Sequence, residues 1–226
     1  CYLDEAKRFE RKLPDLNDHS CVIGIDYADI RDFASVGFLF KINGEYIWRQ
    51  HSFICSNSPF LESIKFPIIQ NKGLVGYSDY TVVNKESLDV DEIVEWFVEI
   101  MQRYSVNKII MDMYRFKLFR NAFESRGISI ESKNNPTGIV RMIRNTGAIN
   151  TIVAPIVEKA FADGKINYGN SAIMRWYTNN TASKIDKNGN KAYIKIEPKL
   201  RKNDGFMAFI CAMSGEELLE DHIIYV

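Results

Sequence analysis

Three aspartates stand where short apolar runs give way to polar segments: Asp26 in CVIGIDYAD, Asp112 in VNKIIMDMYR and Asp204 in PKLRKNDGFMAFICAM. The run VNKIIMD, residues 106–112, is short and almost unbroken in apolar residues. Such a run suits a strand covered on both faces, and strands of that kind belong to sheets with helices on either side. An acid at the end of a buried strand is anchored by rigid backbone while its carboxylate stays free to meet a cation.

Three acids so placed can share a pair of divalent ions. Magnesium takes carboxylate and water oxygens and leaves positions open for phosphate. Two ions about 4 Å apart clamp the attacking and leaving oxygens of a phosphodiester. The layout points to phosphodiester hydrolysis by metal-activated water, with inversion at phosphorus and no His or Lys base. Asp26 is the expected ligand shared by both ions, and Asp112 and Asp204 complete the set. Each also has a plainer reading. Asp26 caps a loop after a strand, and Asp112 and Asp204 are N-caps of the helices that follow them. Asp32 is a fourth ligand, a supporting group or a solvated turn residue, and Asp29 is plain loop.

The chain has 226 residues, enough for one large α/β domain with a substantial core. No apolar run approaches the ~20 residues that span a bilayer, and the charged start CYLDEAKRFERKLPDLNDHS has no secretory apolar core. A first residue of Cys rather than Met is expected of a fragment. Residues 1–20 are expected to form a leading helix or linker, and 21–226 a single domain. Cys1, Cys21, Cys55 and Cys211 form no C-x-x-C pair, and no His stands at zinc spacing from them. Cys21 and Cys211 read as small core residues, and the usage suits a reducing compartment. His19, His51 and His222 are scattered and suggest no catalytic imidazole.

Basic and acidic residues balance at 29 each, which is unlike a dedicated nucleic-acid binder. The balance is uneven along the chain. Residues 113–144 hold seven basic residues against two acidic, a net of +5, and residues 181–203 repeat that count. One window follows Asp112 and the other precedes Asp204, while acids pool at Glu86, Asp89, Asp91, Glu92, Glu95 and Glu99. A basic surface beside acidic ligands is what holding a phosphate backbone requires; the plainer reading is a solvated charged face. Lys195 and Lys199 are candidate phosphate contacts, with Lys191, Arg201 and Arg115 beside them.

Periodicity places the elements. Residues 21–27 read as a strand, and 33–55 as two strands turning at Asn43-Gly44, so three antiparallel strands open the domain. Residues 56–88 read as a long loop with one short helix around 60–70, and 89–104 as an amphipathic helix. A basic helix over about 115–126 follows the 106–112 strand, and 128–132 (ISIES) reads as another strand. Strand–helix alternation of this kind implies parallel pairing. A long helical region then runs from Pro136 to about 163, kinked or restarted at Pro155, with an apolar stripe of Ile149, Ile152, Val153, Ile156, Val157 and Ala160. A short helix at 171–179, a Lys-rich hairpin over 183–197 turning at Asn188-Gly189, and a closing helix from Asp204 to Met213 complete the chain.

Three antiparallel strands, then helix–strand–helix–strand and a closing helix, is the order of the RNase H-like fold, a mixed sheet with helices on both faces. Within that class the chain resembles the C-terminal nuclease domain of tailed-phage large terminase subunits. The resemblance rests on GIDYADIRDFAS, IIMDMYR, YGNSAIMRWYTNNT and KIEPKLRKNDGFMAF, and covers roughly residues 21–220. Asp32 follows Asp26 by six residues, Asn179 follows Trp176, and a Lys-rich stretch over 191–205 runs into Asp204-Gly205. It implies an endonuclease that uses two Mg²⁺ or Mn²⁺ ions to cut double-stranded, concatemeric viral DNA during packaging in the host cytoplasm. The whole protein would carry an upstream ATPase domain and work with a small terminase subunit and a portal. No G-x-x-x-x-G-K-[ST] occurs here, as expected if this is the nuclease part alone. Trp176 is read as a helix-packing residue, and Gly205 as admitting backbone or metal close to Asp204. Two other readings stand beside this one. One is a different RNase H-like enzyme, a Holliday-junction resolvase or transposase core. The other is a DNA-binding or motor-docking module whose acids are structural. A sugar-kinase or actin-like ATPase core is disfavoured because its Gly-rich phosphate loops are missing.

Overall fold

The computed structural model describes residues 13–28, 32–58, 61, 79–144, 146–185, 187, 189 and 191–223. The expected helix or linker over 1–20 lies mostly outside these residues, as do Asp29 and the expected helix around 60–70.

The main sheet runs β4-β3-β2-β1-β5-β6. Its centre is β1 (Ser20–Tyr27), antiparallel to β2 (Phe33–Ile42), which is antiparallel to β3 (Glu45–Cys55). Asn43 and Gly44 join β2 to β3 with φ of 52° and 72°, the left-handed pair that a two-residue hairpin turn demands. On its other side β1 pairs in parallel with β5 (Ser105–Asp112), and β5 with β6 (Val140–Ile143). The three antiparallel strands and the parallel extension are thus as expected. Short pieces finish the edges: β4 (Tyr80–Val83) and β7 (Ile166–Asn167) run parallel to β3, and β10 (Asp221–His222) parallel to β2.

Strand side chains alternate between faces, and each face has its own core. Ile23, Ile25, Ile109 and Met111 point to one face, where α1 (Val90–Met101) and α2 (Met113–Ser125) cover them with Phe97, Phe116, Phe119 and Phe123. Val22 and Ile110 point to the other, under α3 (Thr146–Ala162), α4 (Ala172–Asn179) and α5 (Asp204–Met213). Helix α5 lies directly on β1. A Cβ at Gly24 would fall 2.0 Å from the Ala208 carbonyl oxygen, so only glycine admits the helix at this depth. Asp89 caps α1, its side chain accepting from the Asp91 N–H. Strands β8 (Thr181–Ile185) and β9 (Lys191–Lys195) form a separate antiparallel pair, the Lys-rich hairpin. Its Asn188 lies outside the described residues.

Several expectations change. The strand expected at 128–132 shrinks to a bridge from Ile130 to Val140, and β6 takes its place beside β5 within the stretch expected to be helical. Buried Lys108 on β5 holds the intervening loop by donating to Glu131 Oε2 and the Gly138 carbonyl, each at 2.8 Å. Helix α3 therefore starts at Thr146, and it runs unbroken through Pro155. Its stripe is narrower than expected: Val153, Val157 and Ala160 are buried, whereas Ile152 is 68% exposed and Ile156 37%. Strand β4 occupies part of the expected 56–88 loop. Among the described residues no helix is long and apolar enough to cross a membrane.

Candidate active site

Strand parity sets the site. Asp26 follows Val22 and Gly24 on the α5 face of β1, and Asp112 follows Ile110 on the same face of β5. The two strands are parallel and adjacent, with Ile25 opposite Met111, so both acids stand near the carboxyl ends of neighbouring strands. In open α/β sheets that end is where ligand crevices form. Asp204 is the first residue of α5, the helix that Gly24 allows onto β1. The fold thus gathers acids 178 residues apart in sequence at one end of one sheet face.

Their surroundings differ. Asp112 is the N-cap of α2, and its Oδ1 accepts from the Tyr114 N–H at 2.7 Å, so the capping role is real and uses one oxygen. Asp204 is not a cap: Asn203 holds that position. Asp204 is 3% exposed, and its Oδ2 finds no hydrogen-bond partner among the described residues. A buried carboxylate oxygen without a donor is costly, and a cation would satisfy it.

Electrostatics show the same strain. Burial, then the nearby Asp204 charge, with Asp112 and Asp32 adding to it, pushes the Asp26 pKa well above the ordinary carboxylate range against the pull of Lys195. Burial also raises that of Asp204, opposed by Lys195 and Lys202. Like charges crowded in a poorly solvated place disfavour ionisation until a cation joins them. Among the described residues no three Asp, Glu, His or Cys side chains converge closely enough to hold a single ion. The donor chemistry nonetheless suits a hard divalent cation: carboxylates only, one of them with an orphaned oxygen.

Two lysines serve the acids. Lys195, at the end of β9, places Nζ 3.8 Å from Asp204 Oδ1. Lys202 donates to Asp32 Oδ1, is 10% exposed in its side chain and lies 5.6 Å from the centre of the Phe33 ring. The same Asp32 oxygen accepts from the Phe33 N–H at 2.9 Å. The sequence reading missed Lys202. It stands in a run of basic residues, and nothing local ties it to an acid 170 positions away. Tyr177 was missed too. A Cβ on Gly205 would fall 2.4 Å from its ring, so Gly205 makes room for Tyr177 rather than for backbone or metal. The Tyr177 hydroxyl is 2.9 Å from Ser52 Oγ, and Ser52 Oγ is 2.8 Å from Ser35 Oγ, opposite Asp26 on β2.

The remaining candidates divide. Lys191 is ion-paired with Glu158 on α3, and Arg201 donates to Asn180 Oδ1 at 3.1 Å, so both are engaged in tying elements together. Lys199 is exposed beyond β9, and Arg115 is exposed on the first turn of α2. Trp176 is partly buried against the core, as a packing residue should be.

The family model for the terminase large subunit, endonuclease domain, matches residues 6–220. The chain belongs to this family. Solved structures agree on the endonuclease-domain fold. The large terminase of bacteriophage HK97 is 14% identical with a TM-score of 0.75, over 93% of this chain and 42% of that one. The large terminase nuclease of thermophilic phage G20c, with bound magnesium, is 12% identical with a TM-score of 0.56, over 94% and 96%. The large terminase of a second thermophilic bacteriophage, in complex with ADP, is 11% identical with a TM-score of 0.52, over 89% and 40%. No curated protein sequence matches the chain. The endonuclease domain thus spans less than half of the HK97 large terminase and of the ADP-bound one. Family membership supports a nuclease role in phage DNA packaging, and the fold is the RNase H-like mixed sheet expected from the sequence.

Proposed function

We propose that this domain is a divalent-metal-dependent endonuclease that cuts double-stranded, concatemeric viral DNA during genome packaging in the host cytoplasm. The observation that carries the reading is Asp204: a buried carboxylate, opening a helix laid on β1, with one oxygen lacking any donor among the described residues. Asp26, Asp112 and Asp204 would hold two Mg²⁺ or Mn²⁺ ions, which when bound supply an activated water and charge neutralisation at the scissile phosphate. The magnesium bound by the G20c nuclease supports the cation class. Asp26 stands between the other two acids in the electrostatics of the site and is the ligand we assign to both ions. Asp112 offers the oxygen that its cap does not use. Asp32, engaged by Lys202, supports the site rather than ligating. Lys195, Lys199 and Arg115 are the basic groups we place along the DNA, with Lys191 and Arg201 stiffening the surface behind them.

In the intact protein we place an ATPase domain upstream, with a small terminase subunit and a portal as partners. The HK97 chain extends well beyond the match, and the other large terminase was solved with ADP; both support this arrangement. Substrate choice tests the reading. With Mn²⁺, the domain should cut a linear duplex at least as fast as a four-way junction of equal length. Strong preference for the junction would instead make it a resolvase.

A further inference from the structure

Lys195 lies where positive charge is in demand. Its Nζ is 3.8 Å from Asp204 Oδ1, beyond hydrogen-bond length yet within ion-pair reach. Asp32 and Asp26 add their negative charge to that of Asp204 around its ammonium. For Asp26 it is a neighbour that favours the ionised form. Lys202 shares the neighbourhood but is committed: it is hydrogen-bonded to Asp32, nearly sealed and packed over Phe33. Lys195 is held loosely, with 28% of its side chain exposed, at the end of a hairpin strand that stands apart from the main sheet.

We propose that Lys195 is an exchangeable internal counterion: a divalent ion joining Asp204 and Asp26 displaces its ammonium, which then pairs with a DNA phosphate. The inference rests on the reading that these acids hold metal. An ammonium and a divalent ion repel each other, so the two compete for the same carboxylates. A lysine freed from an acid is also freed to meet an anion. Metal and DNA then bind cooperatively through this residue, and by reciprocity each strengthens the other. The metal-free site would hold DNA without help from Lys195, and metal loading would add one phosphate contact.

The test uses the 226-residue chain and needs no cleavage. Mn²⁺ binding is measured by calorimetry, and duplex binding by anisotropy over a salt series, in EDTA and with Ca²⁺ as the divalent probe. Lys195→Met should bind Mn²⁺ about 3-fold to 10-fold more tightly than wild type, because a competing cation has gone. In EDTA the two proteins should share one salt dependence. With Ca²⁺ the wild-type slope of log K against log salt should steepen by ~0.9, the value for one phosphate, and that of the variant should not. Lys195→Gln should behave like Lys195→Met, which separates lost charge from lost packing. Unchanged or weaker Mn²⁺ binding by both variants would overturn the proposal. So would an equal loss of DNA affinity with and without Ca²⁺. If wild type itself binds no Mn²⁺, the metal reading falls with it, and the wild-type titration alone identifies that case.

Discussion

At Asp26, folding and the function we propose pull in opposite directions. Burial and neighbouring carboxylates raise its pKa, so the metal-free fold carries a charge it would rather lose. The unfolded chain releases this proton near pH ~3.9, and the folded chain keeps it to higher pH. Between those values the folded state binds more protons, so stability falls as pH rises. In EDTA the melting temperature should therefore drop from about pH 5 to about pH 8, and Asp26→Asn should remove most of that slope. At about pH 8 the variant should be more stable than wild type; a less stable variant would show that Asp26 is a structural acid. Asp32 should behave oppositely. Asp32→Asn leaves the Lys202 ammonium nearly buried without its partner, which costs about 3 kcal/mol in urea unfolding. The three acids were legible in the sequence because each ends or begins an apolar run. The Lys202–Asp32 pair was not, because only the fold brings those positions together.

Elements bring the acids together through close approach. Helix α5 reaches β1 because Gly24 has no side chain, so Gly24→Ala must move the Ala208 backbone or expel the helix. We expect a loss of about 3 kcal/mol or more, measured by thermal unfolding. Gly44→Ala, in the hairpin turn, has nothing within 4 Å of the new Cβ and is strained only by φ of +72°, so it should cost about 1 kcal/mol. Elements with strong periodicity were readable: the Asn-Gly hairpin, the amphipathic α1 and the closing helix. Strand β6 was not, since its four residues, VRMI, carry too little pattern to stand against the helical stretch that follows. ISIES alternates like a strand yet makes only isolated bridges among the described residues, Ile130 to Val140 and Ser132 to Asn135, because β6 already occupies the edge of β5. Strand β4 is four residues long and none of them is buried, so it lacks the buried face that makes a strand legible.

Across the whole molecule, zero net charge conceals a division of labour. The +5 windows flank the acids we assign to the metal, and the acidic surface of α1 lies on the opposite sheet face from α5. On the reading we propose, a duplex approaching the carboxyl ends of β1 and β5 would meet Lys195 beside the carboxylates, with Arg115 and Lys199 as further phosphate contacts. The order of strands and acids was enough to suggest the family, since few folds place acids on a first strand, a later parallel strand and a closing helix. What sequence could not supply was the disposition of the lysines, two of which turn inward to Glu158 and Asp32 instead of outward. The measurement that tests the account most directly is cleavage of a supercoiled plasmid by this chain with Mn²⁺, Mg²⁺ or EDTA, beside Asp26→Asn, Asp112→Asn and Asp204→Asn. The account predicts nicking and linearisation that require the metal and fall at least about 1000-fold in each variant. Cleavage that persists in EDTA, or in a folded Asp204→Asn protein, would contradict it.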